Sequence, residues 1–459
     1  RAFGSPFRPM TSSPLPASDA PAAAALPAST AVADITAAIA SHPLLAGCST
    51  LERAKLLSAC QPCQFSAGAT LIEAGAQAEH YYWIVQGEAE LQCPQPQPLG
   101  PGEGLGQEAF ADGPATHTRY LASVRARTEV QALRIERAAL RELVAAYLRS
   151  SRGLNCDPAQ IVITCGAQQA ISLCAQLLVQ PGDRVAVENP GYRAAGHAFA
   201  VAGAELCGVA VDGDGLDTAA LQALGDCRLA YVTPSHQYPT GVTLSLARRL
   251  ELLEWAQRRD GWIIEDDYDG EYRYSGTPLA PLAALDRQGR VLYVGTFCKI
   301  AFPALRLGYL VLPPALAEAF ARRRAIDMRH SEVGTQAVMA EFIAGGHFQR
   351  HVRRMRAAAR ARRDALLAHW PQAIPGCAPL PTVEAGLHLC VRVASITRER
   401  ELVAAARAAG VEMNALSSYW LDDDAVPVDA RAGLVLGFAA VPEAQIVEAI
   451  ATLRRAWGV

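Results

Sequence analysis

From about residue 150 onward, strand-length runs that are apolar throughout alternate with helix-length amphipathic segments, and this rhythm limits the fold more than any other feature. It is visible in "QIVITCGAQQAISLCAQLL", "RVAVENPGY", "RLAYVTPSHQ", "ARRLELLEWAQRRDGWIIEDDYDG" and "RVLYVGTFCK". A strand that is apolar at every residue has no face to offer water, so it needs cover on both sides. Helices between successive strands supply that cover, and the expected result is an α/β fold around a mostly parallel sheet. Beyond residue 345 a long basic segment, "GHFQRHVRRMRAAARARRDALLAHW", leads to strands near "AGLHLCVRV" and "GLVLGFAAV", expected as a small α+β subdomain. In that segment Val352, Met355 and Ala359 keep a helical apolar stripe. Its arginines therefore read as the solvated face of a packed helix rather than a nucleic-acid surface.

Upstream the rhythm changes. Short strand-like runs separated by glycine turns, such as "CQFSAGATLIEAGAQAEHYYWIVQGEAELQC" and "LASVRARTEVQALRIE", predict a small antiparallel barrel or jelly roll. Residues 1–36 are rich in Ala, Pro and Ser without periodicity and read as a flexible segment. The expected division is 1–36 flexible, 37–147 all-β, 148–345 large α/β domain and 346–459 small subdomain. A length of 459 residues suits two or three domains. With 51% hydrophobic and 19% charged residues, the composition is that of a soluble globular protein. No apolar run approaches a membrane span, and a net charge of −3 gives no pull toward DNA or membranes. The 12 cysteines are scattered through apolar segments and read as reduced thiols of a cytoplasmic protein. "CQPC" (Cys60 and Cys63), taken with Cys48 and Cys93, lacks a second C-x-x-C and reads as structural, so no metal site is expected. The chain begins at Arg1, which fits either a piece of a longer product or a start at Met10.

Four stretches fall at the carboxyl ends of expected strands, where an open α/β sheet places its ligand. "TCGAQQAI" opens a helix on a glycine turn, so the N–H groups of Gly166, Ala167 and Gln168 can cradle a phosphate. "ENPGY" puts Tyr192 on a tight turn, "WIIEDDYDG" ends a buried strand in carboxylates, and "GTFCKIAFPALRLGY" holds Lys299 and Arg306. Singly, each has a plain structural reading: a turn, a helix cap, or a lysine snorkelling to the surface. Together they are the parts that pyridoxal 5′-phosphate requires. That cofactor needs an amine for an imine, a carboxylate for its ring nitrogen, an aromatic face and an anion cup.

The chain from about 137 to 459 resembles the aminotransferase-like domain of MocR-type proteins, within the pyridoxal-phosphate-dependent transferase fold type I (aspartate aminotransferase-like) family. The stretches that carry the resemblance are "AAYLRSSRG", "GAQQA", "ENPGY", "VTPSHQYPTGVTLSLARRLELLEWA", "WIIEDDYDGEYRY", "GTFCKIAFPALRLGYLV" and "EAGLHL". It implies that Lys299 forms the imine with pyridoxal phosphate, Asp266 pairs with the ring nitrogen, and Tyr268 bonds the ring's phenolic oxygen. Tyr192 stacks on the ring; Ala167, Gln168, Thr296 and Arg306 hold the phosphate; His236 lies close by. Freed from the cofactor, a desolvated Lys299 amine is the expected base for the substrate's α-proton. The implied partners are an amino acid and a 2-oxo acid, and the implied assembly is a homodimer.

The chain departs from that pattern in places. Cys298 stands where the family has a serine near the phosphate, and Cys165 where it has a small hydroxyl residue. Val435 stands where an arginine would fork onto the substrate carboxylate, with Arg431 nearby. In place of the family's helix-turn-helix and glycine-rich arm, residues 43–147 resemble the cyclic-nucleotide-binding domain of catabolite-activator-like proteins, which implies a possible cyclic nucleotide partner. There Gln107 and Tyr120 occupy the places of the ribose-binding glutamate and the phosphate-binding arginine, with Glu108 and Arg119 one place away. The helix after the roll, in "LRIERAALRELVAAYLRSSRG", is expected to serve both halves. The leading reading is a pyridoxal-phosphate-dependent aminotransferase. The alternatives are a ligand-sensing regulator lacking its DNA-binding domain, with DNA an improbable partner, and a catalytically degenerate fusion.

Overall fold

The computed structural model describes residues 24–25, 61–106, 119–136, 139–276, 280–328, 333–421 and 426–459. Its N-terminal part is a roll of two antiparallel sheets. One contains β1 (Ala24–Ala25), β2 (Gln61–Phe65), β9 (Val130–Glu136), β4 (His80–Gln86) and β7 (Gly104–Leu105), in that order. The other runs β3 (Thr70–Ile72), β8 (Ser123–Ala126), β5 (Ala89–Gln92), β6 (Gln97–Leu99). Alternate residues point inward, and Phe65, Ile72, Tyr82, Ile84, Val124 and Ala132 fill the space between the sheets. The Cys63 thiol donates to the Ala132 carbonyl inside this core, and burial pushes it up to about 11. The Cys93 thiol donates to Gln95. Cys48, Cys60, Gln107 and Glu108, like almost all of the 1–36 segment, lie outside the described residues.

The α/β part is built on eight strands: β10 (Ile161–Thr164), β11 (Arg184–Asn189), β12 (Glu205–Asp212), β13 (Gly215–Leu216), β14 (Leu229–Val232), β15 (Trp262–Asp267), β16 (Val291–Thr296) and β17 (Gly308–Val311). Their order is β10-β17-β16-β15-β14-β11-β12-β13. Neighbours from β16 to β12 are parallel, and β17 runs antiparallel between β16 and β10. The apolar runs behave as expected, since β10, β14 and β16 are buried at every residue. Helix α2 (Ala167–Leu178) packs Ile171 and Leu178 onto one face with Val187 and Ile264. Trp255, Leu252 and Leu221 cover part of the other face. The small subdomain is an antiparallel sheet, β18 (His388–Arg392), β20 (Gly433–Gly437) and β19 (Asn414–Ala415), backed by helices at 347–369, 396–408 and 443–457. No described helix is long and apolar enough to cross a membrane.

Two residues separate the end of β9 from the start of helix α1 (Ala139–Arg152). Its buried residues Leu140, Val144, Tyr147 and Leu148 share one core cluster with Ile163, Tyr309 and Phe348 of the α/β part. Its apolar face therefore packs on the α/β side, and the boundary expected between 147 and 148 falls inside one continuous helix. At its end Arg152 is buried against Asp267 and donates to Ser235 and the Gly270 carbonyl. Tyr147 donates to Glu271 at 2.8 Å. These bonds anchor the helix to the carboxyl end of β15.

Candidate active site

A cavity of about 290 Å³ opens at the carboxyl ends of β14, β15 and β16. Its wall includes Ala167, Gln168, Tyr192, Asp266, Tyr268, Thr296, Lys299 and Arg306, eight of the nine residues expected to meet there. The ninth, His236, is off the wall. It is buried behind Tyr268, with Nδ1 3.0 Å from Asp269 and 3.1 Å from the Tyr268 hydroxyl. The hydroxyl in turn donates to the His236 carbonyl at 2.9 Å, so this pair sets the angle of the Tyr268 ring.

Asp266 is the buried acid of the cavity wall. It is only 4% exposed; Oδ2 accepts from the Tyr231 hydroxyl at 2.6 Å, while Oδ1 has no hydrogen-bond partner among the described residues. Burial pushes its carboxyl up to about 7, and Asp267 and Asp269 push the same way; the Tyr231 bond and Lys299 pull it down. A buried carboxylate oxygen left unpaired is costly unless a ligand answers it. Neighbouring Glu188 is likewise pushed up to about 7 by burial, while accepting from Thr233 and Gln237.

The opposite end of the cavity is cationic. Helix α2 starts on Gly166, at φ 89, with no side chain capping its first N–H groups. Those donors stay available to an anion at a helix N-terminus. A side chain at Gly308 would meet the backbone of Gly166 and Gly295 at 2.9 Å, which is why the chain can close tightly here. Arg306 sits at φ 48, an unusual conformation for a side-chain-bearing residue, at the end of the short 3₁₀ turn Pro303–Leu305. The Cys298 thiol donates to the Leu307 carbonyl at 3.5 Å, and its N–H goes to the Thr296 hydroxyl. Gln168 accepts from the Tyr192 hydroxyl at 3.3 Å and donates to Ala194, linking the cup to the aromatic wall.

Two expectations need correcting or sharpening. Lys299 lines the cavity and is exposed in the single chain, and its charge favours the ionised form of Asp266. Val435 is buried against Cys390 and Leu416, with Tyr419 packed on the group, in an apolar cluster that is not part of the cavity wall. Arg431 is turned away, donating to the Val426 carbonyl. In the roll, Tyr120 exchanges hydrogen bonds with the backbone of His80 and Arg119 donates to the Gly75 carbonyl. Neither carries a guanidinium into the 560 Å³ cavity there, whose wall does include Arg125 and Arg134.

The cavity also recruits residues that the sequence reading passed over: Tyr231, Thr233, Tyr238 and Pro303. Tyr238 packs edge-on against Tyr192, Tyr268 and Tyr419, and its hydroxyl lies 3.0 Å from that of Tyr419. The signal available beforehand was position: Tyr231 and Thr233 sit at the end of an apolar strand, where open sheets bind ligands.

Residues 116–415 match the family described as aminotransferase class I and II. The chain belongs to that family. Residues 62–147 match the cyclic nucleotide-binding domain, so the two matches overlap across β8, β9 and α1. Among relatives of this aminotransferase-family chain, the probable rhizopine catabolism regulatory protein MocR of Rhizobium meliloti is 36% identical over 318 residues, 69% of this chain and 63% of that protein. The chain thus spans about 63% of that curated relative. Aromatic-amino-acid aminotransferase 1 of Thermococcus litoralis is 29% identical over 326 residues, 68% of this chain and 76% of that protein. Among solved structures, the kynurenine aminotransferase of Pyrococcus horikoshii superposes with a TM-score of 0.63 at 30% identity, covering 70% of this chain and 80% of that one. The fold is accordingly that of the type I pyridoxal-phosphate-dependent transferases, preceded by a cyclic-nucleotide-binding jelly roll.

The family implies pyridoxal 5′-phosphate, and the donor set suits it. The cavity offers a buried acid with one unpaired oxygen, a lysine, four tyrosines at its wall, and a helix N-terminus beside an arginine.

Proposed function

We propose that this chain binds pyridoxal 5′-phosphate in the described cavity and transfers an amino group between an amino acid and a 2-oxo acid, working as a homodimer. The observation that supports this most is the convergence of Lys299 and the half-satisfied Asp266 on one cavity whose other end is an open helix N-terminus with Arg306. When bound, the cofactor supplies an electron sink that makes an amino acid's α-proton removable. The protein's part is placement. Asp266 would hold the ring nitrogen, Tyr192 and Tyr268 would fix the ring's face and edge, and Ala167, Gln168, Thr296 and Arg306 would hold the phosphate. Lys299 would anchor the cofactor and, once released, carry the α-proton on Nζ.

The test is optical. Protein given pyridoxal phosphate should turn yellow, and amino acids should discharge the colour. A chain that stays colourless would overturn the proposal. A second reading, a ligand-sensing regulator, is favoured by the similarity to MocR and by the apolar surroundings of Val435, which stands where an arginine would meet the substrate carboxylate. It predicts a yellow protein that binds amino acids with no turnover. On that reading the chain would be the sensing part of a longer regulator.

A further inference from the structure

Asp266 is not held by its own strand alone. Strand β14 lies beside β15 with Tyr231 opposite Ile264, so Tyr231 and Asp266 are diagonal neighbours on one face of the sheet. Tyr231 is 1% exposed, and its ring sits 6.1 Å from that of Phe199 within the core cluster under α2. A ring so enclosed has little freedom to turn, and its hydroxyl lies 2.6 Å from Asp266 Oδ2. Asp266 Oδ1 is left without a partner among the described residues, and both side chains border the cavity.

We infer that Tyr231 is a positioning residue for Asp266: its hydroxyl pins one carboxylate oxygen, favours the ionised form, and leaves the other oxygen free to receive a cationic ring N–H. The inference rests on the cofactor reading above and adds to it a residue outside the expected set. Several charged or titratable groups face Asp266. They are Asp267, Tyr268 and Asp269 on its own segment, Lys299 beyond β16, Glu188 on β11, Tyr192 at the end of the β11 loop, and Cys174 on α2. Burial and the two aspartates favour the protonated form, so an ionised Asp266 depends on the opposing Tyr231 bond and Lys299. Tyr231 can keep that role across the working range. Burial first, and the Asp266 charge second, hold its hydroxyl well above the usual tyrosine range, so it remains a donor.

The experiment is equilibrium binding of pyridoxal phosphate to the full chain, followed by absorbance from about pH 5.5 to about pH 8.5, on either side of the Asp266 value. Tyr231→Phe removes the hydroxyl and keeps the ring. Its loss raises the pH at which Asp266 ionises, so the acidic limb of the binding curve should move up by roughly one pH unit. Affinity should fall roughly tenfold on the acid side and far less on the alkaline side. In an Asp266→Asn background, adding Tyr231→Phe should change affinity no further, because the effect runs through Asp266. A binding curve that matches the parent, a loss that is the same at every pH, or full additivity in the double variant would each overturn the inference. A parent that binds no pyridoxal phosphate at any pH overturns the proposed function, and this inference with it. A parent that binds beside an unaffected Tyr231→Phe overturns this inference alone.

Discussion

The chain carries two cavities of ligand-binding folds, and they differ in what charge they keep. In the α/β part, anion donors, a lysine and a buried acid converge on 290 Å³, and the acid retains an unpaired oxygen. In the roll the space is larger, 560 Å³, yet Tyr120 is tied to the His80 backbone where the resemblance places a phosphate-binding arginine. Volume alone does not make a site. In the α/β cavity the unsatisfied group is an acid that shares its wall with a lysine and an anion cup; in the roll it is Arg134 Nε, whose guanidinium already donates to Gln61.

The largest effect that sharpens this contrast lies at the junction. Arg152 ends the helix that follows the roll, but its buried ion pair is with Asp267. Arg152→Ala leaves that acid buried without its ion-pair partner, held among the described residues only by the Tyr293 hydroxyl, at an expected cost of about 3–5 kcal/mol. Chemical denaturation should show the loss in the α/β transition; a loss confined to the roll would contradict the packing of α1 described above.

Next comes ligand stabilisation, read in one assay for both cavities. At about 100-fold over its dissociation constant, pyridoxal phosphate should add about 2.7 kcal/mol to the stability of the α/β part. Cyclic AMP should leave the melting curve unchanged. A clear shift with cyclic AMP would show that the roll binds with a tyrosine at position 120 and with Arg119 turned to the Gly75 carbonyl.

A smaller effect concerns Glu188. Burial raises its folded pKa to about 7 from 4.5, so the folded state binds this proton more tightly than the unfolded chain does. Its contribution to stability is complete below about pH 4.5 and is lost as pH rises through about 7, at up to about 1.4 kcal/mol per pH unit. Glu188→Gln should flatten that part of the cofactor-free stability profile. An unchanged slope would mean that Glu188 is ionised throughout.

The smallest concerns Cys298, whose thiol is turned to the Leu307 carbonyl. A hydroxyl is a stronger donor than a thiol. Cys298→Ser should therefore tighten pyridoxal phosphate binding by roughly two- to fivefold, corresponding to about 0.4–1 kcal/mol. Weaker binding in the serine variant would show that the thiol is preferred at this position.

Much of this architecture was legible in the sequence, for a physical reason. Runs such as "LAYV" and "VLYVG" are apolar at every residue because both faces of their strands are buried, so parallel packing was legible in the sequence. That eight of the expected residues line one cavity follows from their motifs, which end those strands. Tyr231 was not legible, since a tyrosine in an apolar strand looks like core until the register sets it diagonal to Asp266. His236 stands behind Tyr268 rather than on the wall, a placement that adjacency in "PSHQYP" does not fix. The exposure of Lys299 could not be read either, because it depends on how the loop leaving β16 lies over the cavity. The helix boundary was blurred because α1 follows β9 almost without a linker.

The most direct test of the central claim is covalent. The full chain, incubated with pyridoxal phosphate, reduced with borohydride and digested, should carry the pyridoxyl group on the peptide holding Lys299, and Lys299→Ala should carry none there. Labelling spread over surface lysines, or equal labelling of the Lys299→Ala protein, would contradict the assignment of this cavity as the cofactor site.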